Sequence, residues 1–382
     1  MRSKSSKYLK TMQVGDIHTG HGRTPTTHIL NNLREKFNHE TLADVDLLCI
    51  NGDLFDKILY FPNPVVIEIQ LWADYLLRVC ADCNVVLRVL EGTDSHDAKQ
   101  NTMFTTLLES NRLTLDFKYQ NTVCIEYIEK LDINVLFIPD NWPSGIDGTW
   151  LEVQSLLREH GLDKVDFACM HGAFTHQLPE VVAIHGEGGM HNPDRYSEIV
   201  EKYVFINHVH KQSRYKNIIA PGSFDRLAHG EEEDKGFVVA EIGYDGNDKI
   251  TFVTNHKAMI YKTVDCSNLT ASEVFEKINA LVDLGMLPNG SYLRVQGNRH
   301  DPAVIGLKEI RREFPLLIFD DPKVNKEKVV ESTLFTDTRN RFEEITVTPD
   351  NLKQLLMPRI EARLGEGAQL TGVCSSIIDE LL

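Results

Sequence analysis

The sequence predicts an α/β protein of two or three domains. Through the first 240 residues, short apolar runs typical of strands alternate with amphipathic segments of helical period, which is the pattern of an α/β domain. The length of 382 residues allows two or three domains. The composition, with 42% hydrophobic and 25% charged residues, is that of ordinary globular proteins. A core of good size can therefore form without disulfide bonds.

Seven apolar runs predict strands in this first part of the chain. They cover residues 9–14, 45–50, 85–90, 135–138, 165–170, 203–206 and 236–242. Amphipathic spacing predicts helices over residues 28–37, 66–79 and 151–160. Residues 117–127 and 135–138, which flank a polar turn, predict a hairpin within the same domain.

From about residue 256 the pattern changes to that of a second, smaller α/β domain. Its predicted elements are a helix over 271–284, a strand over 291–295, a helix over 303–314 and a strand over 316–319. Two amphipathic segments, residues 351–364 and 371–382, predict helices near the C-terminus. The predicted domains are residues 1–255, 256–345 and 346–382.

Several classes of protein are excluded by composition. No stretch of 18 apolar residues occurs, so we expect no membrane span. The basic N-terminus lacks the apolar segment of a secretory signal. The seven cysteines are scattered and odd in number, which indicates free thiols and a reducing, cytoplasmic location.

The net charge of -16 argues against a protein that binds nucleic acid through bulk positive charge. The excess is uneven, because residues 61–250 hold 16 basic and 30 acidic side chains. Residues 251–382 are nearly balanced, with 16 basic and 19 acidic side chains. Part of the central acidity could be metal ligands, and most of it must be solvated surface.

Asp and His residues follow five predicted strands, at the edge where α/β folds place their functional sites. They lie in the segments Gly15-Asp16-Ile17-His18, Asn51-Gly52-Asp53, Ser95-His96-Asp97, Met170-His171-Gly172 and Asn207-His208-Val209-His210. In an extended segment, residues i and i+2 point the same way, so Asp-x-His and His-x-His can each reach one metal. Carboxylate with imidazole suits Mn²⁺, Fe²⁺ or Zn²⁺, and six ligands favour two metals that share a carboxylate.

This series of motifs resembles the calcineurin-like metallophosphoesterases, whose motifs D-x-H, G-D, G-N-H-[DE], H and G-H-x-H follow in that order. More narrowly, it resembles the SbcD/Mre-type nucleases of DNA double-strand-break repair. A Pro-Gly-Ser segment at residues 221–223 and an acidic turn before Gly236-Phe237 carry that likeness. The motifs span residues 10–242, and the compact tail resembles phage-encoded members. The resemblance implies a two-sheet β-sandwich flanked by helices, followed by a small α/β capping domain.

The resemblance also implies the roles of individual residues. The ligands of two divalent metals would be Asp16, His18 and His210 for the first, His171 and His208 for the second, and Asp53 bridging both. His96 would be the catalytic histidine, and a hydroxide activated by the two metals would be the nucleophile. The metals would be Mn²⁺, with Mg²⁺, Fe²⁺ or Zn²⁺ as alternatives.

Two motifs depart from the family pattern. Where the family has G-N-H-D, this chain has Gly-Thr-Asp-Ser-His-Asp at residues 92–97. Aligning the His-Asp pairs puts Ser95 at the position of the Asn ligand of the second metal, although Asp94 or Thr93 would take that place if the loop turns differently. In the last motif Asn207 replaces Gly, which is mild because Asn adopts left-handed backbone angles.

The last third of the chain matches the family in size and order, and there the resemblance implies contacts with DNA and with a partner. Arg294, Arg311 and Arg312 would contact DNA phosphates, or would belong to a solvated face in which Glu309 and Glu313 alternate with them. The apolar residues of the terminal helices would bind a coiled-coil ATPase of the SbcC and SMC type, or would pack on their own domain. These apolar residues are Leu352, Leu355, Leu356 and Ile377.

The sequence therefore predicts a metal-dependent DNA exonuclease or endonuclease, the nuclease subunit of an SbcC–SbcD-like complex and a homodimer. Two other functions stay open. One is a phosphoesterase acting on a small molecule or a phosphoprotein, which the acidic surface favours. The other is a structural subunit in which the change at Ser95 has weakened catalysis.

Overall fold

The computed structural model describes residues 8–142, 144–178 and 189–325, together with Met357. The chain divides into two units, residues 1–325 and 326–382, and the elements below belong to the first unit. The predicted domain boundaries after residues 255 and 345 remain predictions. The predicted partner-binding residues of the tail lie outside the described residues; they are Leu352, Leu355, Leu356 and Ile377.

Sixteen strands are present in the described part of the chain. In chain order they are β1 (Tyr8–Val14), β2 (Leu47–Asn51), β3 (Val86–Leu90), β4 (Phe117–Gln120), β5 (Cys124–Ile128), β6 (Ile133–Ile138), β7 (Val165–His171), β8 (Val200–Asn207), β9 (Ser213–Tyr215), β10 (Ile218–Ala220), β11 (Gly236–Gly243), β12 (Lys249–Thr254), β13 (Tyr261–Asp265), β14 (Tyr292–Gly297), β15 (Ile318–Phe319) and β16 (Lys323–Val324). All seven predicted strands are among them.

Nine α-helices accompany these strands within the described ranges. They are α1 (Thr26–Lys36), α2 (His39–Leu42), α3 (Pro64–Asp82), α4 (Thr102–Ser110), α5 (Gly145–His160), α6 (Pro193–Ile199), α7 (Ala271–Asp283), α8 (Pro302–Ile305) and α9 (Leu307–Glu313). The predicted helix over residues 303–314 is two short helices, because the chain bends at Gly306 between them. None of these helices is both long and apolar enough to cross a membrane.

Two mixed sheets of six strands each form the framework. The first has the order β12-β11-β1-β2-β3-β4 and the second β5-β6-β7-β8-β10-β9. Within the first sheet β1 to β4 are parallel, and β11 and β12 add antiparallel strands at one edge. In the second sheet β6, β7, β8 and β10 are parallel. The predicted α/β fold with two sheets is confirmed.

The hydrophobic core has three layers because both faces of each sheet are covered. Leu47, Phe137 and Phe205 belong to the core between the sheets. The outer face of the first sheet packs on α1, α3 and α4, and that of the second sheet on α5 and α6. Alternate residues of a strand point to opposite faces, so strands covered on both sides are apolar throughout. This explains the continuous apolar runs of the sequence.

The predicted hairpin is only half right. β5 and β6 pair antiparallel as expected, from Cys124 opposite Phe137 to Ile128 opposite Ile133. Residues 117–127, however, are two strands in different sheets, because β4 pairs parallel with β3 of the first sheet. The three residues between Gln120 and Cys124 therefore carry the chain from one sheet to the other.

A third, smaller sheet follows the sandwich. Its strands β13, β14, β15 and β16 are parallel, with β14 at the centre. α7, α8 and α9 cover it around a separate apolar core that includes Ile278, Leu293 and Leu307. It touches the sandwich where the Tyr292 hydroxyl donates to the carbonyl of Arg23 at 2.6 Å.

A buried ion pair joins the two large sheets. Arg88 of β3 is 1% exposed, and its Nε and Nη2 donate to the Glu126 carboxylate of β5 at 2.8 and 2.7 Å. Lys118 Nζ contacts the same carboxylate at 2.7 Å. Burial alone would raise the pKa of Glu126, but the hydrogen bonds from Arg88 and Lys118 hold it below its ordinary value. The pair thus fixes how one sheet lies on the other.

We expect Glu126→Ala to lower the free energy of unfolding by about 3 kcal/mol or more, because it leaves the buried Arg88 guanidinium without its main partner. Glu201→Ala is the matched control, since Glu201 forms an exposed ion pair with Lys164 at 3.4 Å. The free energy of unfolding of the control variant should fall by less than about 1 kcal/mol. Urea denaturation at pH 7 measures both, and equal losses would contradict the interior role of the pair.

The same pair has a pH signature. A folded-state pKa below the unfolded value contributes stability that is present above the unfolded pKa and is lost as pH falls through the folded pKa. The difference in stability between the natural protein and Glu126→Ala should therefore shrink as pH falls below the ordinary Glu value of 4.5. A difference that stayed constant down to acid unfolding would mean that Glu126 is not the titrating partner.

Candidate metal centre

Asp and His residues from both large sheets meet at one edge of the sandwich, where the parallel strands end. Asp16 and His18 follow β1 and Asp53 follows β2, all in the first sheet. His171 ends β7 and His208 follows β8, both in the second sheet. The residues whose spacing suggested metal binding are therefore neighbours in space, although they are far apart in sequence.

The first cluster consists of Asp16, His18 and His210, which each offer a ligand atom within 4.8 Å of the others. The two imidazoles face each other, with Nε2 of His18 3.1 Å from Nε2 of His210. Asp16 Oδ2 accepts from the backbone N–H of His208 at 3.0 Å, but Asp16 Oδ1 is buried without a hydrogen-bond partner. A buried carboxylate oxygen in that state is costly unless a cation compensates it. This donor set fits a divalent metal.

The second cluster consists of Asp53, His171 and His208, again within 4.8 Å of one another. His171 Nε2 lies 3.3 Å from Asp53 Oδ1. On its other side, His171 Nδ1 lies 2.8 Å from the carbonyl oxygen of Asn51. A carbonyl only accepts, so Nδ1 carries a proton and Nε2 is the ring nitrogen that faces the cluster. Metal-binding histidines are usually oriented in this way.

Asp53 lies between the two clusters, where the bridging ligand is predicted. His18 Nε2 is 3.7 Å from its Oδ2, and His96 Nδ1 is 3.6 Å from the same atom. Burial alone would raise the pKa of Asp53, but the nearby His171, His18 and His96 hold it well below its usual range. Asp53 is thus an ionised, acceptor-only group facing imidazoles from both sheets.

The backbone at these ligands adopts an uncommon conformation. Asp16, His18 and Asp53 have φ of 48°, 54° and 50°, in the left-handed region that side-chain-bearing residues rarely adopt. Strain of this kind persists only where the surrounding structure imposes it, and it is concentrated at functional sites. Gly92 allows the loops to come this close, because a Cβ there would lie 2.1 Å from the backbone nitrogen of Asp53.

Asp97 holds the loops in place from behind. Its buried carboxylate accepts from three backbone N–H groups, those of Asp53 at 3.1 Å, Phe55 at 3.0 Å and Gly92 at 2.8 Å. These groups belong to the loops that follow β2 and β3, so one side chain connects both. Asp97 therefore positions Asp53 without belonging to either Asp/His cluster.

Glu231 is a site residue that the sequence analysis did not single out. Its Oε1 lies 3.0 Å from His210 Nδ1, which orients Nε2 of His210 towards the first cluster. Burial alone would raise the pKa of Glu231. The hydrogen bond with His210 and the charge of Lys235 outweigh burial and lower that pKa to about 2. The acidic turn before Gly236 was the available signal, although nothing in it distinguished Glu231 from the acidic residues beside it.

The loop after β3 places Thr93, and not Ser95, against the second cluster. The backbone N–H of Thr93 donates to Asp53 Oδ1 at 2.7 Å. Its Oγ1 lies 3.4 Å from both Asp53 Oδ2 and His171 Nε2. Ser95 and Asp94 are exposed. Of the three residues considered for the position of the missing Asn, Thr93 has its oxygen at the site.

His96 stands next to both clusters, on the side open to solvent. Its Nδ1 is 3.2 Å from Nδ1 of His18, and its side chain is 31% exposed. Burial lowers the pKa of His96 more than the charge of Asp53 raises it. An imidazole at the mouth of the site can exchange a proton with a bound molecule.

The arginines predicted to contact DNA are not part of these clusters. Arg294 of β14 has its Nη2 3.5 Å from Asp320, which also pairs with Arg23 at 2.7 Å. Arg311 and Arg312 of α9 are exposed, and Arg311 donates to the carbonyl of Phe319 at 3.1 Å. Contact with DNA stays a prediction for all three.

Comparison with known proteins adds little. No protein-family model and no curated protein matches this sequence. One solved structure is 14% identical, with a TM-score of 0.36 over 64% of this chain and 100% of its own. The protein TT1561 of Thermus thermophilus is 9% identical, with a TM-score of 0.36 over 64% of this chain and 99% of its own. Values this low bear on neither activity nor substrate.

We expect Glu231→Gln to weaken the binding of a metal at the first cluster by about 10- to 100-fold, as loss of an outer hydrogen-bond partner does elsewhere. The matched control is Glu232→Gln, because Glu232 belongs to the same turn but pairs with Lys262. Calorimetric titration of the metal-free protein with Mn²⁺ measures both. Unchanged affinity in Glu231→Gln would mean that His210 does not need this carboxylate.

A second pair of variants tests the loop after β3. Thr93→Val removes only the hydroxyl and should weaken metal binding at the second cluster by about 10-fold. Ser95→Ala should leave both affinities unchanged, since Ser95 is exposed. Electron paramagnetic resonance spectra recorded during a titration with Mn²⁺ distinguish protein that holds a pair of ions from protein that holds one. If Ser95→Ala instead weakened the binding of the second ion, Ser95 would be the ligand.

Proposed function

We propose that this protein is a metal-dependent phosphodiesterase that hydrolyses DNA, as an exonuclease or endonuclease. One observation carries the proposal. Two Asp/His clusters adjoin Asp53 at the common edge of two sheets, with His96 beside them. Two divalent metals held in this way can clamp both the attacking and the leaving oxygen of a phosphoryl displacement.

The first metal would be held by Asp16, His18 and His210. The second would be held by His171 and His208, with Asp53 common to both and Thr93 nearby. Carboxylate and imidazole donors without sulfur favour Mn²⁺, with Mg²⁺, Fe²⁺ or Zn²⁺ as alternatives. Bound there, the ions would supply positive charge to the phosphate and make water more acidic.

The side chains around the metals have separate tasks. Asp97 and Glu231 hold Asp53 and His210 in their orientations, through the hydrogen bonds described above. His96 is accessible, so it is placed to hydrogen-bond a non-bridging phosphate oxygen or, in its protonated imidazolium form, to give a proton to the leaving oxygen. Substrate would enter from the side on which His96 is exposed.

DNA as the substrate is supported by sequence resemblance and by the third sheet. Arg294 lies on β14 of that sheet, and the exposed Arg311 and Arg312 lie on α9, which packs against it. We propose further that the protein acts in the cytoplasm as a homodimer with a coiled-coil ATPase of the SbcC type. Residues 346–382 would supply the contact with the ATPase.

A second candidate is a phosphoesterase for small molecules or phosphoproteins. The observation that favours it is the excess of 30 acidic over 16 basic side chains in residues 61–250, which include much of the rim of the site. Such a surface repels a long polyanion more than a single phosphate ester.

We expect Mn²⁺-dependent cleavage of linear DNA that falls by about 10²-fold or more in kcat when His96 is replaced by Ala, the usual size of one acid–base contribution. Asp53→Asn should abolish it and also lower the number of bound metals below two. His160→Ala is the control, because His160 is exposed at the end of α5.

The substrate panel separates the two candidates. Cleavage of bis-p-nitrophenyl phosphate without cleavage of any DNA, with or without a partner ATPase, would favour the small-molecule enzyme. Fewer than two metals bound at saturation, with DNA binding retained and no hydrolysis, would favour a structural subunit.

A further inference from the structure

A pocket of about 400 Å³ opens beside the second metal cluster. Gly92 and Asp94, from the loop after β3, line one side of it, and Asp140 to Trp142, from the loop after β6, line the other. The backbone N–H of Asp140 donates to the carbonyl of Glu91 at 3.3 Å, which connects the two loops. The pocket therefore spans both sheets, as the metal clusters do.

Trp142 is fixed at the wall of this pocket. Its Nε1 donates to the carbonyl of Pro139 at 2.9 Å, and its ring meets His191 edge to face at 4.8 Å. It also lies directly over Gly172, where a Cβ would be 2.7 Å from the indole. Gly172 directly follows His171 of the second cluster, so the indole packs against the residue next to that cluster.

The polar groups of the pocket disfavour a phosphate. Glu91 is engaged by the Tyr119 hydroxyl at 2.6 Å and by the backbone N–H of Lys99 at 2.6 Å. Asp94 and Asp140 add two further carboxylates to the lining, which accept from N–H donors. Lys99 also lines the pocket, but three carboxylates outweigh this one cation and leave the lining negative. Asn121 also lines the pocket and supplies an amide that can donate and accept.

An aromatic wall with several hydrogen-bond acceptors matches a nucleobase. Bases stack on Trp rings, and adenine, guanine and cytosine carry amino groups that carboxylates and amides can bind. A pocket of about 400 Å³ is within the usual size range of small-molecule sites. The phosphate of the same nucleotide would then lie towards Asp53 and His171, outside the acidic part of the pocket.

We propose that this pocket binds the nucleobase of a nucleotide next to the phosphodiester that is cut, stacked on Trp142. The proposal rests on the proposed nuclease function and adds a subsite to it. It implies that the enzyme holds its substrate end by a base as well as by its phosphate, and that it prefers bases with an amino group over thymine.

The first test compares oligonucleotides that differ only in one base. Abasic analogues replace the nucleotide at either end, and Trp142→Ala is measured on each with Mn²⁺. Stacking is worth about 1–3 kcal/mol per base, so kcat/KM on the complete strand should fall by about 5- to 150-fold. On the strand that is abasic at the bound end, the variant should match the natural protein. Trp142→Phe should retain most of the activity on both.

An equal loss on complete and abasic strands would overturn the proposal, because Trp142 would then be structural. The absence of any loss would overturn it too. Thermal unfolding shows whether each variant keeps the fold, and Trp142→Leu, which keeps apolar bulk but has no ring to stack on, carries the test if the Ala variant unfolds.

A second test needs no cleavage and no metal. 2-Aminopurine riboside is an uncharged fluorescent base, and stacking on an indole should quench it when the metal-free protein is added. Trp142→Ala should abolish the quenching, whereas Trp150→Phe should not, because Trp150 packs on Tyr196 and Arg195 of α6. If the protein cleaves DNA but does not quench the fluorescence, the pocket does not bind a base, and the proposed nuclease function stands. Quenching without cleavage of any DNA would reject the nuclease and leave a base-binding pocket.

Discussion

The contact between Asp53 and His171 is the interaction on which the site depends. Asp53 comes from the first sheet and His171 from the second, and their side-chain atoms approach to 3.3 Å. The side chains around Asp53 therefore meet only while the sheets keep one alignment. The inter-sheet core and the Arg88–Glu126 pair supply that alignment, and Asp97 sets the loops at its end. Packing far from the Asp/His clusters thus controls their geometry.

The sequence predicted the framework, and which Asp and His residues meet at its edge, for a definite physical reason. Strands covered on both faces are apolar throughout, so they are visible as runs, and a parallel strand delivers the residues after its end to a shared edge. Asp16, His18, Asp53, His171, His208 and His210 could all be found in this way, and the structure brings them together. Their pairing across two sheets followed from family likeness, since no local pattern encodes which sheet a strand joins.

What escaped prediction depends on contacts between distant residues. Residues 117–127 look like one strand, yet the chain changes sheets after Gln120, and only the packing of both sheets decides that. Glu231 becomes important because His210, 21 residues earlier, folds back against it. Thr93 faces the site because its loop turns over Asp53, which alignment of the His-Asp pairs does not reveal.

The placement of the ligands also has a consequence for how the protein is made. His18 and His210 are 192 residues apart in sequence, and nearly every strand of both sheets must be in place before they meet. Closing such long loops costs conformational entropy before any contact repays it, so the cation-binding geometry arises late in folding. A nascent chain would carry its ligands without affinity, and dissolved metal would stabilise only the finished molecule by mass action. Metal uptake would then act as a checkpoint that distinguishes completed chains from partly folded ones.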